Sequence, residues 1–180
     1  MKTKLGVMGS AADLSSLSNP EQLKNQAIDL GKAIAARDLI LLTGATTGLV
    51  YLVGKTAHDN GSFHVGISPG SSADEHSNRY GLPTDACDVI VHTGFGLKGR
   101  NVVLVRSCDI VLFISGGMGS LNEFTIAHDE GKIIGALSGT GGVADESSNL
   151  LQKFANKPGA IVVASTDAAT LVDTCLSYIK

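Results

Sequence analysis

Short aliphatic and β-branched runs recur along the chain, at Leu5–Met8, Leu39–Thr43, His64–Ile67, Val89–His92, Ile110–Ile114, Ile133–Leu137 and Ile161–Ala164. Most are continuous in apolar residues instead of alternating, as a parallel strand buried on both faces demands. Helical patterns fill the intervals. The clearest opens at Asn19, a capping residue type, with Pro20 at the first helical position and Gln22 where a capping-box partner belongs. Its Leu23, Ala27, Leu30 and Ile34 make one buried stripe. Further helices are expected over 49–59, 97–107, 120–130, 146–155 and 168–179. This alternation predicts an α/β, Rossmann-like fold: one domain, residues 1–180, built on a doubly wound, mainly parallel seven-stranded sheet. In such sheets ligands bind at the carboxyl ends of the strands, where the strand order reverses.

The expected strand ends carry the chemistry. They read Gly9-Ser10, then Thr43-Gly44-Ala45-Thr46-Thr47-Gly48, then Thr93 through Asn101, and finally Ser115-Gly116-Gly117-Met118-Gly119-Ser120-Leu121-Asn122-Glu123. Glycines let backbone N–H groups approach a ligand, and a helix start adds free donors and a positive dipole end. A phosphate-binding loop over 115–120 is the reading, with three glycines in four residues. Glu123 has two readings. It closes a capping box with Ser120, or it serves a ligand. Arg100 begins the preceding helix on the same edge, with little core to support. The stretch 68–88 reads as a long irregular loop at that edge.

Composition narrows the classes. The chain is 43% apolar and 17% charged, enough for a core. Its net charge of −3, without a long Lys/Arg cluster, argues against binding polymeric nucleic acid. No signal-type segment and no apolar run near membrane-spanning length occurs, and the three cysteines are unevenly spaced. A cytoplasmic protein with no membrane partner is expected.

Several motifs fail on inspection. Gly94-x-Gly96-x-x-Gly99 matches the dinucleotide pattern, but no acid ends the next strand to hold a ribose. No P-loop and no G-x-S-x-G elbow is present. The five histidines lack zinc-site spacing, so neither a metal nor a resident cofactor is expected; His92 alone ends a strand at the binding edge.

Arg100-Asn101, then Asp109, then Ser115-Gly-Gly-Met-Gly-Ser-Leu-Asn-Glu123 resembles the signature of the LOG family, across roughly residues 5–137. Those proteins are nucleoside 5′-monophosphate phosphoribohydrolases. Gly9-Ser10 and the turn from Thr43-Gly44 to Gly48 are similar to the family's first two turns. Asn101, Ser115 and Ser120 stand where the family has lysine, proline and threonine. The resemblance implies a homodimer that takes an AMP-like nucleotide. Arg100 and Glu123 would be its catalytic residues. Gly9, Ser10, Thr43, Gly44, Gly48, Asn101, Ser115, Gly116, Gly117, Met118, Gly119 and Ser120 would bind the substrate. A LOG-like branch of molybdenum-cofactor carriers supplies the alternative, binding without hydrolysis.

Overall fold

The computed structural model describes residues 1–155 and 159–179. Its strands are β1 (Thr3–Gly9), β2 (Leu39–Thr43), β3 (Phe63–Ser68), β4 (Val89–His92), β5 (Ile110–Ile114), β6 (Ile133–Leu137) and β7 (Ile161–Ser165). All pair in parallel, in the order β4-β3-β2-β1-β5-β6-β7. The order reverses between β1 and β5, which opens a crevice beyond Gly9 and Ile114. The continuous apolar runs are explained by this placement: all five residues of β5 are buried.

The helices are α1 (Pro20–Ala35), α2 (Gly48–Asp59), α3 (Gly96–Ser107), α4 (Met118–Asp129), α5 (Gly142–Phe154) and α6 (Ala168–Leu176). One core lies between the sheet and α1, α2 and α6, around Leu30, Leu49 and Leu171. The other lies under α3, α4 and α5, around Leu104, Phe113 and Phe124. The rings of Phe113 and Phe124 meet edge-on, with centroids 5.6 Å apart.

Three local expectations give way. Asn19 makes no side-chain cap; it sits in left-handed backbone at φ 55°, and its carbonyl accepts from Leu23 N. Helix α4 starts two residues before Ser120, which dissolves the Ser120–Glu123 capping box. The stretch 68–88 is built rather than irregular. A short wide turn, Glu75–Arg79, plugs the fully buried His76 beneath it. His76 Nδ1 lies 2.9 Å from Ser68 Oγ, and Nε2 lies 3.0 Å from Pro83 O.

The turn after β2 hangs on a second buried histidine. His64 Nδ1 donates to the Ala86 carbonyl, so its Nε2 is left to accept from Thr43 Oγ1 at 2.8 Å. Thr43 Oγ1 in turn accepts from Ala45 N at 3.1 Å and pins Ala45 at φ 46°. Burial, the largest cause, pulls the His64 pKa down to about 4 from 6.5. Above 6.5 both folded and unfolded chains hold it neutral, and its contribution to stability is fully present. As pH falls toward 4 the unfolded chain binds the proton first, and on the order of 3 kcal/mol is lost. Chemical denaturation at pH 7, 5.5 and 4.5 should therefore show an acid-side loss that His64→Asn lacks; equal slopes in the two proteins would refute the assignment.

Candidate active site

A cleft of about 350 Å³ lies at the switch point. Gly9 and Ser10 from β1 line it, with Gly44 from the β2 turn, Arg100 and Asn101 from α3, and Gly117, Gly119, Ser120 and Glu123 from α4. Nine of the fourteen residues expected from sequence thus converge. Thr43 is instead turned to His64. Gly48, at φ 70°, packs against the Ser10 carbonyl and Ala11. Met118 is exposed to solvent. Ser115 and Gly116 face α5: their carbonyls accept from Ala144 N and Val143 N, and Ser115 N donates to Thr140 Oγ1 at 2.8 Å.

Ser115 repeats the arrangement at Ala45. Each is a non-glycine residue at positive φ, and each gives its amide to a threonine hydroxyl. Such backbone costs roughly 1–3 kcal/mol and persists where surroundings over-determine it. Both turns flank the cleft, and Ser120 Oγ ties α4 to β1 by donating to Gly9 O at 3.0 Å.

Arg100 departs from its expected place at a surface helix start. It is 6% exposed, and its Nε is buried without a partner. Among the described residues it has no hydrogen bond and no ion pair. Its guanidinium lies so close over Gly44 that a β-carbon there would fall 1.7 Å from Nη1, so only glycine fits. Burial lowers the Arg100 pKa, against the opposing pull of Glu123. Glu123 is 7% exposed. With the Asn101 amide oriented so that its nitrogen faces the carboxyl, Asn101 donates to Glu123 Oε1 and Leu97 O, each at 3.0 Å. Burial pushes the Glu123 pKa up to about 7, although Arg100 and Lys98 pull it down. Glu123 is therefore partly protonated near neutrality.

The helix starts around the cleft share a feature. Helices α2, α3 and α4 carry no acid in their first turns, whereas α1 has Glu21 and α5 has Asp145. Acids at a helix start stabilise it by about 0.3–1 kcal/mol, so the cleft lacks that stabilisation. Lys98, Leu97 and Thr46 also line it, within strand ends read from sequence but not singled out there, and Ala11 and Ala12 were missed. A lysine in the first turn of a helix opposes the dipole, and that signal was available for Lys98. Asp109 lies apart, bonded to Lys4 N at 2.9 Å and Nζ at 2.7 Å. His92 does not line the cleft; its ring stands edge-on to His76, and its Nδ1 is buried without a partner.

An all-parallel sheet with helices on both faces and a glycine-lined cleft at its switch point defines the Rossmann-like α/β class. Within that class the chain belongs to the SLOG cluster4 family, whose model matches residues 2–171. An uncharacterized protein of Archaeoglobus fulgidus is 30% identical over 117 residues, spanning 65% of this chain and 72% of that one. The solved structure of TM1055 is 25% identical and superposes with a TM-score of 0.84, covering 98% of this chain and 99% of the other. A molybdenum cofactor carrier protein from Chlamydomonas reinhardtii, also 25% identical, has a TM-score of 0.76 over 98% and 99% of the two chains. Among the described residues no helix is long and apolar enough to cross a membrane.

Glu123 and His64 act on stability in opposite directions. The raised Glu123 pKa means its contribution is fully present below about 4.5 and is lost as pH rises through 7, on the order of 3 kcal/mol in all. Glu123→Gln should then melt several degrees above the wild type at pH 8 and near it at pH 4.5. A variant that melts lower at pH 8 would show that the carboxylate has a stabilising partner.

Proposed function

We propose that the chain, as one cytoplasmic domain, binds a phosphate-bearing small molecule in this cleft and carries it without consuming it. One observation carries the reading: Arg100 is buried, unpartnered and set at the cleft wall. An unpaired buried cation costs several kcal/mol and shifts the balance strongly toward any anion that reaches it. The free amides of Gly117, Gly119 and Ser120 at the start of α4 make the natural phosphate-binding loop beside it. The chain's likeness to a molybdenum cofactor carrier supports a phosphorylated pterin as cargo, with AMP-like nucleotides as the other candidates. Three unpaired thiols suit a reducing compartment. The homodimer implied by the LOG resemblance stays part of this reading, to be measured by sedimentation.

A phosphoribohydrolase is the second reading, and Glu123 favours it. A carboxyl titrating near 7 is suited to general base work. It would take the proton of a water whose oxygen bonds to C1′ as the C1′–N bond breaks, while Arg100 steadies developing charge. The departing base also needs a proton, and among the described lining residues the titratable groups are Lys98, Arg100 and Glu123. With no acid placed for that step, carriage comes first.

Titration with AMP and with molybdopterin, alongside chromatography for free adenine, separates the readings. Carriage expects binding of at least one of them, no adenine released, and binding lost in Arg100→Met, whose melting temperature rises above the wild type because an unpaired buried charge has been replaced by an apolar chain. Adenine release that drops roughly 10²–10⁴-fold in Glu123→Gln would establish the hydrolase instead. A wild type that binds neither ligand would overturn both.

A further inference from the structure

The cleft holds a surplus of positive charge that Arg100 does not explain. Lys98 is the third residue of α3, and its Nζ lies 3.7 Å from where a β-carbon on Gly119 would stand, against the opening turn of α4. It is exposed, lines the cleft, and has no hydrogen-bond or ion-pair partner among the described residues. Its cation thus sits in the first turn of one helix and beside the first turn of another, opposing both dipoles. Neither turn holds an acid. Among the described residues the one carboxyl lining the cleft, Glu123, is engaged by Asn101 and is itself buried. Two cations and two helix starts therefore face a single carboxyl.

The two cations serve different ends. The Arg100 guanidinium covers Gly44 at the end of β2, while Lys98 covers Gly119 on α4. A ligand with one concentrated anionic end and a polar body matches this division. A phosphate monoester carries nearly two charges above its second pKa of about 6 and presents three free oxygens. A phosphodiester carries one charge and two. The monoester has an oxygen for the ammonium and others for the α4 amides.

Resting on the reading of the cleft as a site for a phosphate-bearing small molecule, we propose that Lys98 is its specificity-determining residue: with the opening amides of α4 it selects a terminal phosphate monoester over a phosphodiester or an uncharged nucleoside. Lys98 lies outside the motif that carried the family resemblance. Its exposure means that its replacement leaves the core untouched.

Calorimetric titration at pH 8 with AMP, adenosine 5′-methyl phosphate and adenosine tests this on the wild type, Lys98→Ala and Lys98→Arg. The wild type should bind AMP at least tenfold tighter than the methyl diester. Lys98→Ala should lose roughly 10- to 100-fold in AMP affinity, the range for one charge-assisted hydrogen bond. Its affinities for diester and adenosine should stay within about twofold, and Lys98→Arg should recover most of the loss. Unchanged AMP binding in Lys98→Ala overturns the proposal. So does equal weakening of AMP and adenosine, which marks a structural role. A wild type that binds all three alike removes the selectivity but leaves the cleft reading standing; one that binds none of the three, and not molybdopterin either, removes both.

Discussion

The structure turns on a desolvated pair that does not close into an ion pair. Arg100 and Glu123 are both more than nine-tenths buried, on neighbouring helices at the carboxyl edge of the sheet. Each feels the other's field, yet among the described residues the guanidinium has no hydrogen-bond partner and the carboxyl is met by a neutral amide. Burying a charge this way is expensive. The surroundings must hold it in place, and much of the local architecture does that. Gly44 leaves room for the guanidinium. Ser120 binds α4 to β1, and Asn101 spans Glu123 and the Leu97 carbonyl.

The scaffold around the pair is correspondingly rigid. Ala45 and Ser115 are held in left-handed backbone by Thr43 and Thr140. Thr43 is anchored through His64 to Ala86, and Thr140 donates to Leu137 O. Each strained turn is thus referred back to a buried element behind it. Preorganisation of this kind reduces the ordering cost of binding. The first turns of α1 and α5 hold Glu21 and Asp145, while those of α2, α3, α4 and α6 hold no acid.

Carriage and hydrolysis would ask different things of one cleft. Holding a phosphate needs donors and positive charge. Breaking a glycosidic bond needs, in addition, a base and an acid on opposite sides of the bond. Glu123 offers one titratable carboxyl near neutrality, and the described lining residues supply no second. A fold shared across SLOG proteins is therefore compatible with both outcomes, and chemistry at the cleft decides between them.

Much of this was legible in the order of residues alone. Continuous apolar runs alternating with amphipathic segments point to a parallel sheet covered by helices, and the central strands are buried accordingly, while the edge strands β4 and β7 stay partly exposed. That topology brings the ends of β1, β2 and β5 to one edge, which is why nine of the expected residues meet in one cleft. Local signals failed where tertiary contacts outweighed them. Asn19 and Ser120 have capping chemistry but were placed otherwise, Ser120 because its hydroxyl reaches Gly9 across 111 positions of sequence. Arg100 read as a surface residue since nothing in its neighbours shows that Gly44 lies beneath it. Only packing decided that burial, and with it the raised pKa of Glu123. Desolvation depends on what surrounds a group in space, and a sequence orders neighbours in one dimension only.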